Sequence, residues 1–316
     1  MNKPCILIID EVHPIVFELF DAHNIGYDYN PKLKREELLA IIENYEGIIL
    51  RSKIKADKEV IDCGKKLKII GRTGSGMETI DIDYAQSKGI TCLNSPEGNR
   101  DAVAEHVIGM LLTLINNINK ADKEVRAKIW DREGNRGMEM KGKTFGIIGF
   151  GNIGSVLAKK LSGFEMNILA YDKYKTGFST DYVKETNFET LVKQSDFISF
   201  HVPQTPETIY MANEQFFENC KTGVIVINSS RGKVLKTEAL VQALEQNKIS
   251  GAALDVLEYE SFDFRDFLTD EMPPAFNYIV NHPKVVFTPH VAGWTIESKY
   301  KLSEVMAQKI ISTLQK

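Results

Sequence analysis

The sequence predicts an α/β fold with parallel sheets, divided between two domains. Short apolar runs rich in β-forming residues alternate with helical patterns along the chain, which is typical of βαβ units whose helices cover both faces of a sheet. The length of 316 residues is too great for one comfortable core and suits two domains of ordinary size. We therefore expect two hydrophobic cores with a cleft between the domains.

Each strand is predicted from a short apolar run between turn-forming residues. The runs are Cys5–Ile9, Gly47–Leu50, Leu67–Gly71, Thr144–Gly149, Asn167–Tyr171, Phe197–His201, Val224–Asn228, Ala252–Val256 and Val285–Thr288. Helical periodicity predicts helices over Arg35–Asn44, Ala102–Ile118, Ser155–Ser162 and Lys236–Gln246, and a terminal helix over Glu297–Lys316. No repeat or Pro-rich linker marks a domain boundary, but the turn formers at 94–99 indicate a hinge.

Composition and charge narrow the classes of function. The chain is 43% hydrophobic and 26% charged, and its net charge of −4 includes no basic block, which argues against a nucleic-acid partner. The four cysteines form no CxxC pair, so neither a disulfide framework nor a metal site is indicated. No targeting or membrane-spanning run is visible, and we expect a cytoplasmic protein with a small-molecule partner.

A glycine-rich turn opens the second series of βα units. Gly149, Gly151 and Gly154 form GxGxxG directly after an apolar strand and at the start of an amphipathic helix. The first glycine allows a tight turn, the second allows a pyrophosphate to approach the backbone, and the third allows close packing of helix and sheet. Backbone N–H groups around Asn152 and Ile153 then lie at a helix N-terminus, where phosphates bind.

An acidic residue completes this motif. Asp172 ends the next strand, 18 positions after Gly154, where a carboxylate accepts hydrogen bonds from the adenosine ribose. Because a 2′-phosphate would meet a like charge, NAD is predicted over NADP, although Lys173 and Lys175 weaken the argument. The alternatives are a glycine turn that binds nothing and a different adenosyl ligand such as S-adenosylmethionine.

Three further segments carry groups that the reduction of a 2-keto acid requires. Such a reaction needs a cation to fix the substrate, a proton donor, and a group that keeps the donor charged. Arg231 follows a predicted strand, Glu260 follows the run that contains Asp255, and His290 follows the last strand. Taken singly, Arg231 and Glu260 would more often be surface charges and His290 a strand-end histidine with a structural role.

Together these segments resemble the D-isomer-specific 2-hydroxyacid dehydrogenases, the family of phosphoglycerate dehydrogenase, glyoxylate reductase and D-lactate dehydrogenase. The resemblance covers nearly the whole chain. Besides the segments above, it includes 70–77 with Ile80 and Asp81, 94–99, 104–106, 201–203 and 205–208. It implies two Rossmann-like (flavodoxin-like) domains with doubly wound parallel sheets, an oxidoreductase activity and NAD as the cofactor.

The resemblance also implies roles for individual residues. Arg231 would bind the substrate carboxylate, and His290 with Glu260 would form the acid/base couple, in which the carboxylate stabilises the imidazolium. Ser75 and Gly76 would offer backbone N–H groups to the substrate carboxylate. The residues expected to border the cofactor are Val202, Pro203, Ser229, Ser230, Asp255 and Gly293, with Asp255 accepting from the nicotinamide carboxamide.

The chain departs from the family pattern beside the expected active site. Ser261 follows the glutamate where proline is usual, the stretch 261–280 is longer than usual, and Trp294 stands where a small residue is usual. Glu258 is an alternative partner for His290, and only the motif register favours Glu260. His106 and His201 are interpreted as structural.

Domain bounds and assembly follow from the resemblance. Residues 1–98 with 294–316 would form the substrate domain and residues 99–293 the NAD-binding domain, with a hinge that closes the cleft. A homodimer built on the NAD-binding domain, with Ala102–Gly137 as an exchanged arm, is the family expectation. An NAD-sensing corepressor, which uses this fold without turnover, is the alternative from another class of function.

Two arginines favour a phosphorylated substrate. Arg51 and Arg72 follow neighbouring predicted strands and would converge on one phosphate, whose geometry suits guanidinium groups. The predicted substrate is 3-phosphoglycerate, oxidised to 3-phosphohydroxypyruvate in serine biosynthesis by a form without a regulatory domain. Alternatively the arginines pair with Asp57 or Glu78, and the substrate is glyoxylate, hydroxypyruvate or pyruvate.

Overall fold

The computed structural model describes residues 5–261, 266–267 and 271–315, which divide into two compact units. Within these ranges, unit one consists of residues 5–100 and 294–315, and unit two of residues 101–261, 266–267 and 271–293. The stretches 262–265 and 268–270 of the long segment 261–280 lie outside the described residues. The roles assigned to the two domains remain predictions.

The described residues form twelve strands and twelve α-helices. The strands are β1 (Cys5–Ile8), β2 (Gly26–Tyr29), β3 (Gly47–Leu50), β4 (Ile69–Arg72), β5 (Thr91–Asn94), β6 (Thr144–Ile148), β7 (Asn167–Tyr171), β8 (Lys184–Glu185), β9 (Phe197–Phe200), β10 (Val224–Asn228), β11 (Ile249–Leu254) and β12 (Val285–Phe287). The helices are α1 (Ile15–Ala22), α2 (Arg35–Ile41), α3 (Lys58–Cys63), α4 (Ile82–Ser87), α5 (Arg100–Ile115), α6 (Ile118–Arg126), α7 (Asn152–Leu161), α8 (Phe188–Gln194), α9 (Glu214–Asn219), α10 (Thr237–Glu245), α11 (Pro274–Val280) and α12 (Ile296–Leu314).

Unit one contains a five-stranded parallel sheet in the order β2-β1-β3-β4-β5, which is the flavodoxin-like order. Alternate residues of β1 face opposite sides, because side chains in a strand have a period of two. Ile6 and Ile8 pack with Met306 of α12, whereas Leu7 packs with Leu38 of α2. The two clusters lie on the two faces of the sheet, so helices cover both.

Unit two contains a seven-stranded parallel sheet in the order β12-β11-β10-β9-β6-β7-β8. The order of the chain reverses beside β6, and ligands of such sheets bind at the carboxyl ends of the strands at this reversal. Phe145 and Ile147 of β6 pack against α5 and α7, whereas Ile148 belongs to the cluster on the opposite face. The predicted fold class, an α/β protein with doubly wound parallel sheets, is confirmed.

Some predicted elements are wrong in detail. The helix predicted over Ala102–Ile118 ends at Ile115, and α6 starts at Ile118 after Asn117, which has a φ of 54°. Asparagine tolerates this left-handed conformation, and it redirects the chain into a second helix. The strands β2, β5 and β8 had no counterpart among the predicted runs. None of the helices in the described part of the chain is both long and apolar enough to span a membrane.

Candidate active site

The glycine-rich turn after β6 needs its glycines for reasons of space. Gly149 has a φ of 96°, and a Cβ there would lie 2.5 Å from the carbonyl oxygen of His201. A Cβ on Gly154 would overlap the carbonyl oxygen of Gly149, because α7 packs tightly on the turn. At Gly151 the space is open, and this residue precedes α7 without a side-chain cap. The positive end of α7, which begins with Asn152 and Ile153, is therefore suited to a pyrophosphate.

Asp172 fixes the loop that follows β7. Its carboxylate accepts from the backbone N–H of Phe150 at 2.8 Å and of Lys175 at 3.1 Å. Lys175 directs its Nζ to the carbonyl oxygen of Phe150 at 3.3 Å, and Lys173 pairs with Glu207 at 2.6 Å. The hydrogen bond with Glu207 raises the pKa of Lys173, so this ammonium is charged and bound to a carboxylate. Both lysines that weakened the prediction of NAD over NADP therefore have acceptors within the protein.

The loop after β10 holds Arg231. Asn228, which is fully buried, accepts from the N–H and Oγ of Ser230 and donates to the carbonyl oxygen of Arg231 at 2.9 Å. A Cβ on Gly232 would overlap the carbonyl oxygen of Leu257, so the backbone after Arg231 passes closely by the segment that leads to Glu260. The Nη1 of Arg231 donates to the carbonyl oxygen of Ser230 at 2.6 Å.

A buried hydroxyl on the same loop fits a bound cofactor. The Oγ of Ser229 is buried without a hydrogen-bond partner among the described residues. Burying such a group costs free energy unless a ligand or water supplies the missing bond. Val202 and Pro203 follow the neighbouring strand β9, and the backbone N–H of His201 donates to Ile148 of β6 at 2.8 Å. The residues around the glycine turn therefore fit a dinucleotide.

Asp255 organises the loop that carries His290. The carboxylate is 1% exposed and accepts from Thr288 Oγ1 at 2.6 Å, Val291 N at 2.9 Å and Ala292 N at 2.9 Å, just before Gly293. The described contacts give Asp255 a structural task, and its predicted bond to the nicotinamide carboxamide stays a prediction. His106 also contacts Thr288, at 2.9 Å, in keeping with a structural histidine.

His290 and Glu260 lie in direct contact. Nδ1 of His290 is 2.8 Å from Oε2 of Glu260, and the two side chains are 22% and 17% exposed. Glu260 also accepts from the backbone N–H of Leu257, which fixes the carboxylate. His290 has a φ of 54°, a costly conformation for a residue other than glycine that concentrates at functional sites. With Nδ1 engaged, Nε2 is the ring nitrogen through which protons would be exchanged with a substrate.

The alternative partner Glu258 is used elsewhere. Its Oε1 accepts from the backbone N–H of Thr237 at 3.0 Å, at the first residue of α10, and the residue is buried. A carboxylate at a helix N-terminus is favourable because it complements the helix dipole. The contacts therefore separate the two glutamates, with Glu260 on the histidine and Glu258 on the helix.

In unit one, the loop after β4 is shaped by Arg72. This residue is 7% exposed and donates from Nε to the carbonyl oxygen of Arg51 at 3.0 Å and from Nη1 to that of Gly76 at 2.7 Å. The backbone N–H groups of Ser75 and Gly76 donate to no acceptor among the described residues. Two neighbouring donors of this kind suit a carboxylate. Arg72, in contrast, directs its Nε and Nη1 donors to carbonyl oxygens. These contacts favour a structural role for Arg72 over the predicted role as a phosphate ligand.

Sequence reasoning missed several organising residues. Asn228 and Thr288 hold the loops of Arg231 and His290, and Glu207 engages Lys173, but none of the three was assigned a role. A signal existed for Asn228, a lone polar residue at the end of an apolar strand, and for Glu207, which lies in the segment 205–208 of the resemblance. For His201, burial lowers the pKa to about 3 and its Nε2 lies 2.9 Å from Ser199 Oγ, so a neutral structural histidine fits the prediction.

Comparison with known proteins identifies the family. The sequence model of the D-isomer specific 2-hydroxyacid dehydrogenase, NAD binding domain, matches residues 108–292. A D-3-phosphoglycerate dehydrogenase of Archaeoglobus fulgidus is 36% identical over 309 residues, which is 97% of this chain, but the chain spans only 56% of that relative's length. A hydroxypyruvate reductase of Thermotoga maritima is 37% identical over 284 residues, covering 89% of both chains.

A solved structure extends the likeness to the cofactor. The crystal structure of D-lactate dehydrogenase from Aquifex aeolicus, complexed with NAD and lactic acid, has a TM-score of 0.83 and 28% identity, covering 98% of this chain and 95% of that chain. The glycine turn and the buried Ser229 hydroxyl of unit two fit the same cofactor. The chain therefore belongs to the D-isomer specific 2-hydroxyacid dehydrogenase family, and NAD is its cofactor.

Proposed function

We propose that the protein is an NAD-dependent dehydrogenase that oxidises D-3-phosphoglycerate to 3-phosphohydroxypyruvate. The observation that carries the reaction type is the 2.8 Å contact between Nδ1 of His290 and Oε2 of Glu260. A histidine held by a carboxylate is suited to take a proton in one direction of an alcohol oxidation and return it in the other.

In the proposed oxidation, the substrate alcohol loses two hydrogens, one as a proton and one as a hydride. The hydroxyl proton passes to Nε2 of His290, and the hydride on C2 passes to the nicotinamide ring, which is the chemistry that bound NAD supplies. Glu260 stabilises the imidazolium that forms. Arg231 binds the carboxylate and the oxygen on C2, since a guanidinium offers several donors in a fixed plane. Each group acts in reverse during reduction.

Arg51 is the proposed ligand of the substrate phosphate. It follows β3 at the carboxyl edge of the sheet in unit one, where its backbone N–H donates to buried Asp10 at 2.7 Å. Arg72 is no longer included, because its Nε and Nη1 donate to carbonyl oxygens. A substrate with a distal phosphate would gain charge-assisted hydrogen bonds from Arg51 that a shorter acid lacks.

A panel of keto acids tests this proposal. We expect the wild type to reduce phosphohydroxypyruvate with a higher kcat/KM than hydroxypyruvate or glyoxylate. Arg51→Ala should lower kcat/KM for the phosphorylated acid by about 10- to 100-fold, as expected for loss of a hydrogen-bonded ion pair, and change the other two much less. Arg35→Ala is the matched control, since Arg35 lies in the same unit but pairs with Asp57 and Glu59.

Equal efficiency on all three acids would contradict the phosphorylated substrate. It would favour a second candidate, a general reductase of hydroxypyruvate and related acids, which is supported by the similarity to the Thermotoga enzyme across 89% of both chains. Absence of turnover on every acid tested, with NADH binding intact, would instead favour a non-enzymatic NAD-sensing protein.

A homodimer remains part of the proposal. Helix α6 has no buried residue, and apolar side chains on it and just after it are exposed: Ile118 by 49%, Val125 by 54%, Ile129 by 52% and Trp130 by 80%. An apolar surface of this kind marks an interaction site, and we assign it to a second copy of the chain. Sedimentation equilibrium of Ile129→Glu against the wild type would measure the assembly. Cytoplasmic localisation stays a prediction.

A further inference from the structure

The carboxylate of Glu207 joins two loops at one edge of the sheet in unit two. The segment 172–175 follows β7 and the segment 201–208 follows β9, and these strands lie on either side of β6. Oε2 of Glu207 accepts from Nζ of Lys173 at 2.6 Å and from the hydroxyl of Tyr174 at 2.8 Å. Glu207 therefore connects the two loops that flank the strand leading into the glycine-rich turn.

The backbone is fixed on both sides of this contact. On one side, Oδ1 of Asp172 accepts from the backbone N–H of Tyr174 at 2.9 Å, which closes a turn around Lys173. On the other side, the hydroxyl of Thr208 accepts from the N–H of Thr205 at 2.8 Å and donates to the carbonyl oxygen of Pro203 at 2.6 Å. The ion pair therefore forms between two anchored turns.

The charges of Lys173 and Glu207 stabilise each other. The hydrogen bond between them raises the pKa of Lys173 and lowers the pKa of Glu207, so both groups are charged near neutral pH. The side chains are 54% and 52% exposed, and an exposed ion pair contributes little to the stability of a fold. The consequence of this pair is therefore sought in what the ammonium would otherwise bind.

Lys173 stands where a cation would favour a different coenzyme. It directly follows Asp172, the residue predicted to accept from the adenosine ribose. An ammonium beside the ribose is suited to a 2′-phosphate, since lysine binds phosphate groups as a compact point charge. Glu207 opposes such a phosphate in two ways. It engages the ammonium of Lys173, and it adds a second negative charge beside the loop of Asp172.

We propose that Glu207 is a coenzyme-specificity residue, which withholds Lys173 from a 2′-phosphate and thereby favours NAD over NADP. The inference rests on the predicted position of the adenosine ribose at Asp172, and it is independent of the acid that the enzyme uses. In this role Glu207 acts through Lys173. Its removal should therefore change the affinity for 2′-phosphorylated ligands and leave hydride transfer from NADH almost as it is.

Calorimetry with two nucleotides tests the proposal without turnover. The probes 2′,5′-ADP and 5′-AMP differ only by the 2′-phosphate. Glu207→Gln keeps the size of the side chain and an oxygen that can accept from Tyr174, but it removes the charge. The affinity for 2′,5′-ADP should rise by about two- to tenfold, the range of one or two exposed charge interactions, and that for 5′-AMP should change much less. In steady-state kinetics, kcat/KM for NADPH should rise by a similar factor.

Two further variants isolate the role of Lys173. Glu189→Gln is the matched control, since Glu189 pairs with Lys193 at 2.6 Å in the same unit and its substitution changes the net charge equally. This variant should bind both nucleotides like the wild type. Adding Lys173→Ala to Glu207→Gln should remove the gain in affinity for 2′,5′-ADP, because the released ammonium supplies it.

Each outcome supports or overturns the role of Glu207. A gain that persists without Lys173 would mean that Glu207 acts only by repulsion, and an equal gain for 5′-AMP or in Glu189→Gln would mean a general charge effect. Either result overturns the withholding of Lys173. If Glu207→Gln has no effect but Asp172→Ser strengthens 2′,5′-ADP binding, the role of Glu207 is wrong and the assignment of Asp172 stands. If neither variant has an effect, both assignments are wrong.

Discussion

The two units fix the loops that follow their strands in different ways. In unit two, the loop after β6 is shaped by the main chain, because Gly149 and Gly154 allow contacts that a Cβ would prevent. In unit one, the loop after β4 is shaped by a side chain, because buried Arg72 spans from Arg51 to Gly76. Cofactor recognition therefore depends on local backbone geometry, whereas the arrangement proposed for substrate recognition depends on a side chain that joins separate stretches of backbone.

Within unit two, the acid/base couple of Glu260 and His290 is held in a third way. Glu260 and His290 are 30 positions apart, and the loop of His290 is held by Asp255 through Val291 and Ala292. This arrangement combines a local motif with long-range support. If the comparison is right, substitutions in unit two should affect the chemistry or the coenzyme, and substitutions in unit one should affect the choice of acid.

The largest effect is expected at His290. His290→Gln removes the group proposed to exchange a proton with the substrate, so kcat should fall by about 10²- to 10⁴-fold while NADH still binds. Stopped-flow measurement of hydride transfer, with NADH affinity from fluorescence, checks both parts. His23→Gln is the control, since His23 is an exposed residue of unit one. A His290→Gln enzyme with wild-type rates across the pH range would rule out the acid/base role.

A smaller effect is expected at Asp172, on coenzyme choice. Asp172→Ser removes the carboxylate predicted to oppose a 2′-phosphate and to accept from the ribose, so the preference for NADH over NADPH in kcat/KM should narrow by about 10- to 100-fold. Binding of 2′,5′-ADP by calorimetry should strengthen in parallel. Asp62→Ser, in unit one, is the control. A wild type that prefers NADPH would contradict the assignment and would implicate Lys173 or Lys175.

The sequence was sufficient where a pattern is local. The runs Gly47–Leu50, Asn167–Tyr171 and Val224–Asn228 match β3, β7 and β10 residue for residue, because strands packed on both faces of a parallel sheet are continuously apolar. It failed at three of the four sheet edges, β2, β5 and β8. The edge strand β2 has two half-buried and two exposed residues, no residue of β5 is buried, and β8 has only two residues, so none of the three carries a buried apolar run.

The candidate site shows the same division. The glycine turn, Asp172 and the pairing of His290 with Glu260 were anticipated from motifs. The contact of buried Arg72 with Arg51 and the contact of Arg51 with the Trp294 ring were not, since each joins residues that are far apart in sequence. Two arginines at neighbouring strand ends look equivalent in a sequence, whereas the structure shows that Arg72 donates to the carbonyl oxygens of Arg51 and Gly76.

The smallest effect is expected on the stability of the protein, from a substitution of Asp196 in unit two. This carboxylate precedes β9 and accepts from the backbone N–H of Thr144 at 2.9 Å and from Nζ of Lys221 at 2.7 Å. Burial alone would raise its pKa, but the hydrogen bonds from Lys221 and Thr144 prevail and hold the pKa of Asp196 below the ordinary value of 3.8. The carboxylate joins the first residue of β6 to the start of β9, which are the two strands at the reversal of the sheet.

A group whose pKa is lowered by folding stabilises the protein above its unfolded pKa, and this contribution is lost as the pH falls through the folded pKa. Asp196→Asn should therefore lower the free energy of unfolding by about 1 kcal/mol at pH 7, since the amide still accepts from Thr144 but loses the ion pair. The difference from the wild type should shrink as the pH falls below 3.8. Urea denaturation across this range measures the difference.

Glu189→Gln is the control, because its pair with Lys193 is on an exposed helix face and should contribute little at any pH. A difference between Asp196→Asn and wild type that stays constant from pH 7 to pH 3 would mean that the charge is immaterial, and that Asp196 stabilises the reversal through hydrogen-bond geometry alone.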